Sequence, residues 1–118
     1  MILGDLTTSA LQYAVDALSL RQQAVAGNLA NAQTPNYQAK EVDFEASLSQ
    51  ALATGDVNLA GAPAVTTSTA PVNADGNNVD EGSDLVTLQE TTLRYQAMVD
   101  SLNAKFRMLR GSMGGSFS

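Results

Sequence analysis

From Leu85 to Leu109 the chain repeats one spacing without a miss. Leu85, Leu88, Thr92, Tyr95, Val99, Leu102, Phe106 and Leu109 follow one another in alternating steps of three and four. Residues three and four apart share a side of an α-helix, so this spacing predicts a long helix with a continuous seam. Ser83 or Asp84 suits its N-cap and Gly111 its stop. Lys105, Arg107 and Arg110 suit the negative end of the helix dipole. Leu93, Ala97, Met98, Ala104 and Met108 add apolar surface off the seam, and a helix apolar on several sides needs several neighbours.

A second stripe opens the chain. Leu11, Val15, Leu18, Gln22, Val25, Leu29 and Ala32 keep the same rhythm, broken only by Gln22. Ala10, Ala17 and Ala24 form a row of small residues beside it, where another helix can approach closely. Thr7, Thr8 or Ser9 is the expected cap of this helix, and Pro35 disfavours the helical region for Thr34, which predicts a stop before it. Thr34-Pro35-Asn36-Tyr37 reads as a turn, with Pro in second place and Asn suited to a left-handed conformation. Tyr37 to Phe44 alternates as a short extended piece, and Phe44, Leu48 and Leu52 suggest a brief helix. Between Thr54 and Asp84, Gly, Ala, Thr, Asn and Asp dominate, with Pro63 and Pro71, and no period survives.

The expected fold class is therefore all-α, with two long terminal helices forming a coiled-coil-like hairpin around an irregular central loop region. Its parts are an N-terminal helix (1–33), a turn, extended piece and short helix (34–53), a flexible acidic loop (54–84), a C-terminal helix (85–111) and a tail (112–118). A pure hairpin would leave the alanine row and the extra Leu and Met positions exposed. Burial of these faces between molecules is thus expected, because soluble proteins limit exposed apolar patches.

Charge and composition narrow the chemistry. The formal net charge is -6, which disfavours nucleic acid as a partner. No Lys or Arg falls between Lys40 and Arg94, whereas Asp56, Asp75, Asp80, Glu81 and Asp84 do. There is no His and no Cys, so neither a serine triad nor a Cys–His pair is available. No glycine-rich phosphate loop occurs. Asp43 and Glu45 read as a solvated carboxylate pair near a turn. The run Asp75-Gly76-Asn77-Asn78-Val79-Asp80-Glu81 faintly resembles a calcium loop, but Val79 stands where an oxygen ligand belongs, and it reads as a solvated turn. The expectation is a non-enzyme without catalytic, cofactor-binding or metal-binding residues and without a small-molecule substrate. No apolar run is long enough to cross a bilayer. Met1 to Ser9 lacks the basic and apolar regions of a secretory signal peptide.

The strongest local signature is Asn28-Leu29-Ala30-Asn31-Ala32-Gln33-Thr34-Pro35-Asn36-Tyr37. Physically it is a helix end, with Asn side chains bonding free backbone groups, Pro35 ending the helix and Tyr37 tucking against it. Its order also resembles the N-terminal motif of the bacterial flagellar rod, hook and hook-associated proteins, and the motif residues are Asn28, Leu29, Asn31, Thr34, Pro35, Asn36 and Tyr37. Asn36 stands where that family usually has Gly. Asp75 to Asp80, followed by Arg94-Tyr95-Gln96, looks like the C-terminal part of the family's proximal rod proteins, and the short middle fits them too. A "Tyr-Glu-Ala-Asn" run, which the FlgC-type rod protein tends to carry, is absent.

The resemblance implies a structural rod subunit, exported by the flagellar type III apparatus without a cleaved peptide, that polymerises in the periplasm around a central export channel. It implies as partners copies of the chain itself, rod proteins of the FlgC, FlgF and FlgG types, and a FliE-type adaptor and the export gate. The expected assembly seam is Leu11, Val15, Leu18, Val25 and Leu29 with Leu85, Leu88, Tyr95, Val99, Leu102, Phe106 and Leu109. A different axial component, FlgC-like or hook-associated, is the alternative.

Overall fold

The computed structural model describes the backbone of residues 2–114 and side chains of residues 6–111. Its elements are α1 (Ile2–Ala30), β1 (Lys40–Asp43), α2 (Glu45–Thr54), β2 (Ala64–Thr67) and α3 (Glu81–Gly114). A single 3₁₀ turn, Val57–Ala60, lies between α2 and β2. The molecule is long and thin, with principal extents of 66 × 28 × 14 Å.

The chain is mostly helical, but a small antiparallel sheet makes an all-α description approximate. Its register pairs Lys40 with Thr67, Val42 with Val65 and Asp43 with Ala64. The strand partner lies in the segment from Thr54 to Asp84 because hydrogen bonding to β1, rather than burial, holds it: every residue of β2 is exposed.

The two long helices pack side by side and antiparallel. Midway along the pair Tyr95 and Met98 of α3 lie on the cluster of Ala17 and Leu18. Further along, Gln22 meets Thr92, and past the end of α1 Gln33 meets Glu81. Both helices begin earlier than the capping residues suggested. α1 is already helical at Ile2, which places Thr7, Thr8 and Ser9 inside it. α3 starts at Glu81 with Asp80 as its cap: Asp80 Oδ1 accepts from the Ser83 N–H at 3.1 Å and its carbonyl accepts from the Asp84 N–H at 2.8 Å. Gly111 does not stop α3, which continues to Gly114. One helical glycine costs only about 1 kcal/mol against an otherwise propagating helix. Of the expected tail, residues 112–114 are helical and 115–118 lie outside the described residues.

α2 ends as its sequence requires. Gly55 adopts φ +83°, and the N–H groups of Gly55 and Asp56 bond the Leu52 and Ala51 carbonyls, the double closure of a Schellman motif.

The core sits midway along the hairpin, where β1 and α2 form a third layer on α1. Ala17, Leu18, Val42 and Phe44 are buried together, and Tyr13, Leu20, Ala24, Leu48, Tyr95 and Met98 close around them. Two of the three residues of the alanine row are therefore used within the monomer: Ala17 is wholly buried and Ala24 packs on the same cluster, whereas Ala10 lies outside it. The small side chains of Ala17 and Ala24 admit the β1–α2 layer. Beyond this layer the two helices run on alone. Among the described residues, none of α1 before Ala14 and none of α3 after Thr91 is buried.

Candidate assembly interface

The motif from Asn28 to Tyr37 is first a piece of construction. Asn28 is buried to 1% exposure, and its amide pairs with both backbone groups of Lys40: Oδ1 accepts from the N–H at 2.8 Å and Nδ2 donates to the carbonyl at 2.9 Å. Two helical turns earlier Arg21 donates to the Val42 carbonyl, from Nε at 3.0 Å and Nη2 at 2.6 Å. Alternate residues of a strand direct their backbone groups to the same side. Side chains of α1 thus occupy the edge of β1 that β2 leaves open, which satisfies its backbone and blocks pairing with another strand.

Arg21 does more than bond Val42. Its guanidinium grips Glu45 with two hydrogen bonds of 2.7 Å and lies 4.9 Å from the centre of the Phe44 ring. The forked contact holds the Glu45 carboxyl well below the usual range, at about 2, and raises Arg21. Glu45 is therefore an ion-pair partner, not half of a free carboxylate pair. Arg21 belongs to the functional frame although its sequence setting, one cation in a polar stretch, did not mark it.

The turn itself has the form read from its residues. Tyr37 N–H bonds the Thr34 carbonyl at 3.2 Å across Pro35 and Asn36, and Asn36 has φ +63°. Asn31 Nδ2 donates to the Gly27 carbonyl at 2.9 Å, and Thr34 Oγ1 donates to Asn31 Oδ1 at 3.1 Å. Tyr37 folds back so that its hydroxyl lies beside Gly27.

The segment from Asp75 to Asp80 locks onto this turn and is not a solvated loop. Asn77 and Asn78 are buried. Asn77 Nδ2 donates to the carbonyls of Asn31 and Thr34, both at 2.8 Å, and its Oδ1 accepts from the Val79 N–H at 2.7 Å. Asn78 Oδ1 accepts from the Ala39 N–H at 2.7 Å, while its Nδ2 donates to the carbonyls of Ser68 and Ala70. Asn36 N–H reaches the Asp75 carbonyl at 2.9 Å. Gly76 has φ +81°, and a Cβ there would collide with the Asn36 side chain. The two stretches that carried the resemblance, far apart in sequence, are thus one hydrogen-bonded knot. The amides that a calcium loop would turn toward an ion are spent on backbone. No group of three or more potential metal ligands occurs among the described residues.

The seam residues divide by depth. Leu18 and Val25 are buried, whereas Leu11, Val15, Leu29, Leu88, Tyr95, Val99, Leu102 and Leu109 are half-buried. Leu85 and Phe106 are exposed, as are Val86, Leu93 and Met108 off the seam, with Leu93 at 68% and Met108 at 65%. These five lie on α3. Among the described residues no large apolar side chain of α1 is exposed to that degree. Among the described residues, the exposed large apolar side chains of the hairpin therefore belong to α3.

Comparison with known proteins bears on this geometry. The chain is 31% identical over 124 residues to the flagellar basal body rod protein FlgB of Bacillus subtilis (strain 168), an alignment covering 92% of this chain and 94% of that protein. The chain belongs to the FlgB family of flagellar basal body rod proteins. FlgB of Escherichia coli (strain K12) is also 31% identical, over 126 residues, with 87% of this chain and 91% of that protein covered. FlgB of Salmonella typhimurium is 28% identical over 136 residues, covering 95% and 99%. No protein-family model matches the chain. The FlgB likeness spans most of the chain rather than one element of it.

Proposed function

We propose that the chain is a structural subunit of the bacterial flagellar proximal rod that polymerises through its terminal helices. The observation that carries this reading is the likeness to FlgB proteins over nearly the whole length of both chains. The exposed apolar positions of α3 support the assembly step. Covering Leu85, Val86, Leu93, Phe106 and Met108 with neighbours removes apolar surface from water, which is favourable. The knot supports it differently, since it fixes the angle at which the hairpin leaves the β1–α2 layer.

In this reading the subunit reaches the periplasm through the flagellar type III apparatus, and its terminal helices build the rod around its central export channel. Its neighbours are copies of itself, rod proteins of the FlgC, FlgF and FlgG types, and at its base a FliE-type adaptor and the export gate. The subunit binds no nucleic acid and turns over no substrate.

The test is complementation. The chain is expressed in a motile bacterium lacking its own FlgB, and purified basal bodies are blotted for it. Its presence there, with swimming restored, is the expected result. Absence of the chain from basal bodies that do assemble overturns the reading.

A further inference from the structure

The two ends of α3 lie in clefts of opposite charge. At its start, an open cleft is lined by Gln33, Pro71, Asp75, Asp80 and Glu81, with no cation among its lining residues. Toward its far end a second cleft is formed by Asn103, Phe106, Arg107, Leu109 and Arg110, with no carboxylate among the described residues that line it. At 1.5 Å per residue, Glu81 and Arg110 stand roughly 44 Å apart on one helix.

The helix dipole does not explain the basic end. It acts within the last turn, and α3 runs past Arg110 to Gly114 with no basic residue in that turn. Beside these cations Phe106 and Met108 are exposed, at 40% and 65%.

We propose that these clefts are two halves of one contact between copies of this chain. Phe106 and the guanidiniums of Arg107 and Arg110 of one copy seat in the acidic cleft around Glu81 of the next. The inference rests on the rod-subunit reading and adds which surfaces meet. Whole copies, each with a net charge of -6, repel one another. A contact that sets Arg against carboxylate offsets that repulsion locally, because the planar guanidinium matches a carboxylate bidentately. Two different surfaces at opposite ends of a rigid body make a heterologous contact, which propagates copy by copy.

Glu81 is the residue to test on the acidic side. Asp80 caps α3 and Asp75 accepts from the Asn77 N–H, whereas the Glu81 side chain, among the described residues, meets only Gln33, at 3.3 Å. The chain has no Cys, so Glu81→Cys and Arg110→Cys each introduce a single thiol. The two variants, mixed and mildly oxidised, are expected to give the mixed disulfide at least about tenfold above either same-variant dimer. Equal yields of all pairings, or no disulfide, overturn the contact. In sedimentation, Arg107→Glu/Arg110→Glu and Glu81→Arg are each expected to weaken self-association at least about tenfold, and mixing the two to restore it, with helix content by circular dichroism unchanged. Self-association equal to that of the parent overturns the contact. Basal-body incorporation separates the two ideas. A charge-reversed chain that incorporates like the parent removes the contact and leaves the rod reading standing. A parent chain absent from basal bodies removes the rod reading.

Discussion

Gln22 Nε2 donates to Thr92 Oγ1 at 2.9 Å, so the polar interruption of the α1 stripe meets the one polar member of the α3 stripe. A single buried polar pair in an apolar seam specifies which residues face each other, at some cost in stability. Thr92→Val should destabilise the fold by about 1 kcal/mol, because the Gln22 amide loses its partner. Gln22→Leu with Thr92→Val should be as stable as the parent or more so. Thermal unfolding of both single variants and the double one closes the cycle, and additive effects would refute the coupling.

Asn28 serves both backbone groups of Lys40 from a position with no access to water. Asn28→Ala should cost about 2–4 kcal/mol, the sum of two lost bonds and a stranded backbone pair. Asn28→Asp keeps the acceptor and loses the donor, and should fall between. Chemical denaturation followed by far-ultraviolet circular dichroism measures both.

Gly76→Ala is expected to loosen the knot, since its Cβ would meet the Asn36 side chain and its φ is positive. Asn36→Gly removes that side chain and tolerates φ +63°. The double variant should therefore recover part of the loss, with roughly 1 kcal/mol of backbone strain remaining from the Gly76→Ala change. Hydrogen exchange at the Asn77 and Val79 amides is the readout. Failure of Asn36→Gly to rescue would show that the collision is not the cause.

The Arg21–Glu45 grip sets a pH dependence. The folded Glu45 carboxyl is lowered from 4.5 to about 2, so its stabilisation is complete above the unfolded value and is lost as pH falls through about 2. Half of the Glu45 side chain is exposed, which limits this ionic part to about 1 kcal/mol. Glu45→Gln should lose it and flatten stability between about pH 4.5 and 2. Arg21→Lys should not substitute for Arg21, because an ammonium lacks the fork that reaches Glu45 and Val42 together.

Asp84 behaves with the opposite sign. Burial raises its carboxyl against the opposing pull of Asn28, with Asp80 and Glu41 adding to the rise, and Oδ2 is buried without a partner. The unfolded chain releases this proton first, so ionisation costs stability as pH rises through the carboxylate range. Asp84→Asn should gain stability relative to the parent as pH rises from about 3 to about 7, because the amide has no charge to bury. Urea midpoints at the two pH values test the trend.

How much of this was legible follows the kind of interaction. The helix seams repeat over many residues, so both long helices could be read locally, and the Thr34–Tyr37 turn needed only Pro35 and Asn36. Helix ends misled, because Asp80 rather than Ser83 caps α3 and the capping residues of α1 fall within it. β2 was not legible, since four exposed residues held only by backbone bonds carry no hydrophobic period. Arg21 looked like one cation among polar neighbours until Phe44, Val42 and Glu45 arrived beside it.

By itself the sequence determined two striped helices, a turn between them and the family motif, because each depends on residues near one another in the chain. The tertiary structure alone decided that Ala17 of the alanine row is buried within the monomer, and that the Asn28–Tyr37 turn and the Asp75–Asp80 run are one knot. It also decided that, among the described residues of the two long helices, the exposed large apolar side chains lie on α3. The physical reason is distance along the chain: a buried amide must find its partners wherever the fold brings them, and Asn77 finds its own in Asn31 and Thr34.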